Sequence, residues 1–359
     1  MTWSCQAIDH GITFFPNGTI GPCCQVASDY GKPLSEIANP DRFADLKTEE
    51  PPAACVNCSS KEKDGRSSYR NVFNSRRGEV TAGADVVFLD VRNTNLCNLK
   101  CRYCGPYYSN QWAKELGHDV SLTHTDISPY YDQVLTDNLR LIYFAGGEPL
   151  ISQDHWDILD RLISNNHSQQ IELMYSTNLT VLKFKDTGID DFVGMWKKFR
   201  SVNLMISIDA IGNLFDAIRS NASWTEVEQN LDTLLNQPPN NIRLTVTCVL
   251  SLLNIWELES FVDYFNRRHI QIQLILLQRP DHLALDTVPD SLKSQAIEII
   301  QRVRQQLPKL AATLDKAESL LINNTNQAQY EKFINSNSEL DQLRGEQYMT
   351  FLPPTQGSK

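Results

Sequence analysis

The chain has 359 residues, enough for one large domain or two around a substantial core. Its formal net charge is −10, from 33 Lys+Arg against 43 Asp+Glu, so it carries no general basic footprint for nucleic acid or an anionic membrane. Mean hydropathy is negative, and no apolar run approaches the ~18 residues of a membrane-spanning helix.

The N-terminal MTWSCQAIDHG lacks the basic start and apolar core of a signal peptide. A cytoplasmic location is therefore expected, with the nine clustered cysteines reduced and available to metal. Residues 1–80 read as a separate cysteine-bearing unit. Ile12 to Phe15 and Thr19 to Ile20 form a hairpin around Asn17-Gly18, a strong turn signal. Cys23 and Cys24 follow, then a helical stretch near Leu34 to Leu46, the Pro51-Pro52 break and Cys55-x2-Cys58. Cys5, Cys23 (or Cys24), Cys55 and Cys58 could converge as a closed [4Fe–4S] site or a structural zinc site. Residues 61–77 carry six basic and two acidic side chains. They suit a solvated linker helix, or a docking surface for an acidic substrate or peptide.

From Asp85 the pattern changes. Apolar runs recur at 86–91, 139–145, 171–177, 202–208, 242–250 and 270–277, with helical stretches such as Gln153 to Asn165 and Trp224 to Leu235 between them. Near-continuous apolar strands separated by helices indicate a parallel sheet covered on its outer face. The expected fold is α/β: a partial (β/α)6 TIM-type barrel over residues 85–280, with the small N-terminal cysteine-rich module before it. A helical C-terminal extension over 281–359 should pack on the barrel, fraying at PPTQGSK.

Chemistry in such barrels sits at the C-terminal strand ends. The loop after the first strand holds Cys97, Cys101 and Cys104 as C-x3-C-x2-C. Three close thiolates can hold three corners of an iron–sulfur cube and leave one iron open. A structural zinc loop would ordinarily add a fourth nearby Cys or His, and none lies close. After the second strand comes Gly146-Gly147-Glu148-Pro149, where paired glycines admit a close ligand and a carboxylate can take an ammonium, or which is an ordinary turn. Ser176-Thr177-Asn178 after the third strand offers hydrogen bonds to a ribose or carboxylate, or a helix N-cap. Ser207-Ile208-Asp209 follows the fourth strand, with Arg219 beyond it as a surface ion pair or a carboxylate clamp.

In this order, these motifs resemble the radical S-adenosylmethionine (SAM) superfamily over roughly residues 85–280. The resemblance implies a [4Fe–4S] cluster on Cys97, Cys101 and Cys104, whose free iron chelates the amino and carboxylate groups of SAM. An electron from the cluster then gives methionine and a 5′-deoxyadenosyl radical, which abstracts hydrogen from a substrate. It places Tyr103 near the adenine and Gly146, Gly147 and Glu148 at the methionine amino end. Ser176, Asn178, Ser207, Asp209 and Arg219 become candidates for the ribose and carboxylate contacts. It also implies a flavodoxin- or ferredoxin-type electron donor.

Cys5-x12-Gly18-x4-Cys23 with Cys55-x2-Cys58 is similar to the auxiliary-cluster module of the SPASM/twitch branch, which implies a second [4Fe–4S] cluster. The six cysteines outside the loop are too few for two further four-cysteine clusters, so the one-cluster twitch form fits, with Cys23 as ligand. In that branch the module normally follows the barrel, whereas here it precedes it.

Cys24 and Cys248 are left over. Cys248 reads as a small buried residue, or as a hydrogen-atom donor near the mouth. The seven histidines show no ligand spacing and read as structural or surface. The branch suggests oxidation, cross-linking or epimerisation of a peptide-like substrate. A small metabolite (nucleotide, sugar or amino acid) is the alternative, and a zinc-stabilised binding protein on an inactive barrel is the reading of another class.

Overall fold

The computed structural model describes residues 3–27, 29–80, 85–183, 192–236, 240–323 and 326–354. The expected fraying at the extreme C-terminus falls on 355–359, outside the described residues. The strands are β1 (Gly11–Phe14), β2 (Thr19–Gly21), β3 (Lys32–Pro33), β4 (Phe88–Val91), β5 (Leu141–Phe144), β6 (Glu172–Thr177), β7 (Ser201–Ser207), β8 (Ile242–Leu250) and β9 (Gln271–Leu276). They form one sheet in the order β3-β2-β1-β4-β5-β6-β7-β8-β9. From β4 to β9 every pair is parallel. The architecture is thus a mixed α/β fold on a parallel sheet.

The hairpin follows its turn chemistry. Gly18 takes φ 78°, and Asn17 Oδ1 accepts from Thr19 Oγ1 at 2.8 Å. Its first strand does more than was expected of a separate unit over residues 1–80. β1 pairs in parallel with β4, setting Thr13 beside Asp90. Ile12 and Phe14 are completely buried, so β1 contributes to the same core as the strands after it. The cysteine-bearing unit is built onto the edge of the sheet.

Alternation along the strands separates two faces. On β6, Leu173, Tyr175 and Thr177 are buried, while Glu172, Met174 and Ser176 are half-buried on the opposite, concave face. The outer face is covered by amphipathic helices. Gln153–Ser164 buries Ile158, Leu159 and Leu162, and Leu258–Arg267 buries Leu258, Phe261, Val262 and Phe265. These are the i, i+3, i+4 spacings of a helix with one apolar stripe. Helices Asp290–Gln306, Ala311–Asn323 and Gln327–Arg344 complete the C-terminal part. The last forms despite an Asn- and Gln-rich sequence, opened by an Asn326 cap on Gln329 N at 3.2 Å and closed by Gly345 at φ 65°.

Candidate functional site

The cysteine loop leaves β4 and is held by side-chain amides. Asn95 donates to Pro106 O at 2.9 Å and to Ser121 O at 3.0 Å, and accepts from Thr123 N at 2.8 Å. Asn110 Oδ1 accepts from Cys97 N at 2.9 Å, Ser109 Oγ donates to Leu99 O at 2.6 Å, and Trp112 Nε1 donates to Cys101 O at 2.8 Å. These bonds occupy backbone groups that a tight loop cannot pair by itself.

The three thiols stand close enough to feel one another. Burial pushes Cys97 up, and the Cys101 and Cys104 charges push it further. Cys101 is pushed up to about 12, by burial first, with Cys104 adding to it and Arg219 opposing it. Burial and mutual repulsion oppose joint ionisation of these three thiols, and a bound cation would offset both; three close thiols are the donor set an iron cluster uses. Among the described residues, no three His, Cys, Asp or Glu side chains are arranged as ligands of a single metal ion. Thiolates around a cube stand farther apart than ligands of one ion.

The Gly-Gly-Glu turn after β5 presses on this loop. Gly147 N donates to Thr94 O at 3.2 Å and Glu148 N to Leu96 O at 2.7 Å. A Cβ on Gly147 would meet Leu96 O at 2.0 Å, so only glycine allows the approach. The Glu148 carboxylate is turned inward. It accepts from Thr177 Oγ1 at 2.7 Å, Asn178 N at 2.7 Å and Leu150 N at 3.1 Å. Burial nevertheless pushes its pKa up to about 7. Asn178 Nδ2 in turn donates to Asn98 Oδ1 at 2.9 Å, tying the end of β6 to the cysteine loop.

Asp209, Arg219 and Tyr103 come together. Arg219 Nη2 lies 2.8 Å from Asp209 Oδ2 and donates to the Tyr103 hydroxyl at 2.6 Å, which donates to Asp209 at 2.7 Å. Val249 N donates to Asp209 Oδ1 at 2.8 Å, and Arg219 Nη1 lies 3.7 Å from Cys101 Sγ. Arg219 Nε is buried without a partner. Ser176 is elsewhere on the concave face, bonded to the Tyr143 hydroxyl at 2.7 Å. Ser207 stands opposite Thr247 of β8. Cys248 is adjacent in sequence to Thr247 and therefore points the other way. It is 1% exposed, 3.5 Å from Asn254 Nδ2 and 3.7 Å from Asp209 O, on the helix-covered face of the strand near its C-terminal end.

The N-terminal thiols gather separately from this loop. Cys5, Cys23, Cys55 and Cys58 line one small cavity, with Arg70 and Trp3 beside them. Burial pushes Cys5 up to about 11, and the Cys58 and Cys55 charges add to it. Cys24 turns away from them. It lines a cavity of about 330 Å³ shared with Arg92, Gly146 and Tyr107. Burial, then the charge of Asp90, pushes it up to about 12. Arg92 chelates Asp90 through two bonds of 2.8 Å beneath this cavity. The sequence reading passed over this pair, although Asp90 is a lone acid in an otherwise apolar run.

Also missed was the way the C-terminal helix grips the cysteine loop. Arg102, between Cys101 and Cys104, has a fully buried side chain that pairs with Asp341 and, at 2.6 Å, with Glu346. Arg344 pairs with Glu115 at 2.6 Å and donates to Lys100 O at 3.0 Å.

The chain is similar to known proteins over part of its length. Molybdenum cofactor biosynthesis protein 1 of Dictyostelium discoideum is 27% identical over 191 residues, covering 52% of this chain and 28% of the relative. GTP 3′,8-cyclase of Clostridium botulinum is 25% identical over 198 residues, covering 54% of this chain and 57% of the relative. The chain thus spans less than two thirds of either relative. The solved structure of Streptococcus suis SuiB bound to precursor peptide SuiA superposes with 13% identity and a TM-score of 0.37, covering 70% of this chain and 60% of that one. The family model described as Radical SAM superfamily matches residues 92–265, and the chain therefore carries a radical SAM superfamily domain.

Proposed function

We propose that this protein is a radical SAM enzyme with one auxiliary [4Fe–4S] cluster, acting on a peptide or peptide-like substrate. The observation that carries the reading is the presence of two thiol sets, three on the strand-end loop and four around the N-terminal cavity. The superfamily implies a [4Fe–4S] cluster and SAM. When bound, that cluster supplies the electron that cleaves SAM reductively.

The chain's own residues have separable tasks. Cys97, Cys101 and Cys104 would hold the cluster. The Gly146-Gly147 backbone offers close approach to the amino end of SAM, with the inward Glu148 fixing the turn. Arg219 sets a positive charge beside Cys101, favouring the thiolate. Tyr103 and Asp209 hold that guanidinium in place. Cys5, Cys23, Cys55 and Cys58 would hold the auxiliary cluster in a twitch-like module. Their number favours full ligation and an electron-transfer role, with a flavodoxin- or ferredoxin-type protein as external donor. The reading places the protein in the cytoplasm.

A small-metabolite substrate is the second reading, favoured by the similarity to GTP 3′,8-cyclase. Anaerobically reconstituted protein, reduced with dithionite and given SAM, is expected to be brown and to release 5′-deoxyadenosine. Colourless, zinc-loaded protein that forms none would overturn the enzyme reading in favour of a zinc-stabilised binding protein.

A further inference from the structure

The largest cavity described above is not the largest the fold offers. A groove of about 710 Å³ runs along β9. Its floor is Gln273, Leu274, Ile275 and Leu276, with Val249 of β8 beside them. One wall comes from the N-terminal unit through Asn57, Lys61 and Arg66, the other from helix Ala311–Asn323 through Lys316. The volume is in the range of ligand sites.

Three features bear on what it takes. First, β9 is the last strand of the sheet. Leu277 N donates inward to Leu250 O at 3.0 Å. Alternation therefore turns the Leu274 and Leu276 amides outward, where among the described residues no further strand pairs with them. Exposed edges are ordinarily blunted by charge or proline. Residues 270–277, IQIQLILL, carry neither, and Ile275 is 46% exposed.

Second, the groove is basic within an acidic chain. Lys61, Arg66 and Lys316 line it, and among the described residues no Asp or Glu does. Arg66 shares its charge with Asp64 at 2.6 Å, outside the lining.

Third, the groove lies between the two thiol sets. Asn57, between Cys55 and Cys58, donates to Gln25 O at 2.9 Å, and Gln25 follows Cys24. On the opposite side Val249 N bonds Asp209, the partner of Tyr103 and Arg219 beside Cys101.

We propose that β9 is the docking edge for the substrate. An extended peptide segment bearing carboxylate side chains adds as a further strand along β9, its acids meeting Lys61, Arg66 and Lys316. Main-chain bonds to the open edge supply affinity, and the basic walls supply selection. This rests on the peptide reading and adds where and how the peptide binds.

The test uses the anaerobically reconstituted full chain and a fluorescein-labelled peptide of alternating Glu and Val, read by anisotropy. The Glu-Val peptide is expected to bind. A Lys-Val counterpart, and a Glu-Val peptide N-methylated at alternate amides, are each expected to bind at least about tenfold more weakly. A Lys61→Glu/Lys316→Glu variant that keeps its circular dichroism and iron content should lose a similar factor for the Glu-Val peptide. Equal binding by that variant overturns the groove and leaves the peptide reading standing. Equal binding of the N-methylated peptide overturns strand addition. Binding of no peptide overturns the groove, while 5′-deoxyadenosine release by the same preparation tests the enzyme reading separately.

Discussion

Arg219 and Asp209 form an ion pair of 2.8 Å whose side chains are 5% and 1% exposed, and the same guanidinium lies 3.7 Å from Cys101 Sγ. Both residues were expected among the ribose and carboxylate contacts, yet their charged groups face each other. What Arg219 keeps open is Nε, buried without a partner. Breaking one side of a buried pair strands the other charge, at a cost of about 3–5 kcal/mol. Arg219→Met should destabilise the apo protein by that order in urea, and Arg219→Met/Asp209→Asn should recover part of it. A loss in the double variant equal to the sum of the Arg219→Met and Asp209→Asn single losses would show that the pair is not coupled.

Gly147 tests the contact between the end of β5 and the cysteine loop. An added methyl would stand 2.0 Å from Leu96 O, a backbone atom that cannot swing aside. Gly147→Ala is expected to keep the far-ultraviolet dichroism but to weaken SAM binding by at least about tenfold, a loss of ~1.4 kcal/mol. Equilibrium dialysis with unchanged affinity would mean that the turn does not shape the SAM site.

Glu148 predicts a pH dependence of known sign. Its carboxyl is raised from 4.5 to about 7 by burial, so the folded state holds this proton more tightly than the unfolded chain. The contribution is complete below pH 4.5 and is lost as pH rises toward 7. It amounts to at most about 3 kcal/mol. Apo Glu148→Gln should lack this component, so its melting temperature should fall less than wild type across that interval. Parallel curves would contradict the assignment.

The C-terminal helix should act on the cluster loop. Arg102 is fully buried against Asp341 and Glu346. In Asp341→Asn/Glu346→Gln its charge is left uncompensated, and residues 97–104 should exchange amide hydrogens faster in the apo protein. The reconstituted variant should also lose iron sooner in air. Unchanged exchange in this loop would make the helix a bystander.

Cys248 has a simpler expectation. Its sulfur faces Asn254 on the helix-covered side, not the concave face of Ser176 and Ser207. Cys248→Ala should therefore leave solvent-deuterium incorporation into product unchanged, with a stability loss of about 1 kcal/mol from the small cavity. Loss of deuterium incorporation would restore it as a hydrogen donor.

Much of this architecture could be read from local pattern. Apolar runs of strand length marked β4 to β9, and Asn17-Gly18 marked the hairpin, because each is dictated by residues close in sequence. The cysteine spacings pointed to both thiol sets for the same reason. The pairing of β1 with β4 left no such trace, since Gly11 and Phe88 are joined only by the folded sheet. Nor did the grip of Arg102 on Asp341, or of Arg344 on Glu115, where each partner alone looks like a surface charge. Arg219 and Asp209 were each legible as candidates, but their pairing was not. A lone basic residue does not announce which acid it will meet.

The most direct measurement is the partition of iron between the two thiol sets. Anaerobically reconstituted wild type should contain about eight irons per chain. Cys97→Ala/Cys101→Ala/Cys104→Ala should lose about half of them and all 5′-deoxyadenosine formation. Cys5→Ala/Cys58→Ala should lose the other half while still cleaving SAM. Iron content indifferent to the first triple substitution, or zinc in place of iron at both sets, would contradict the account.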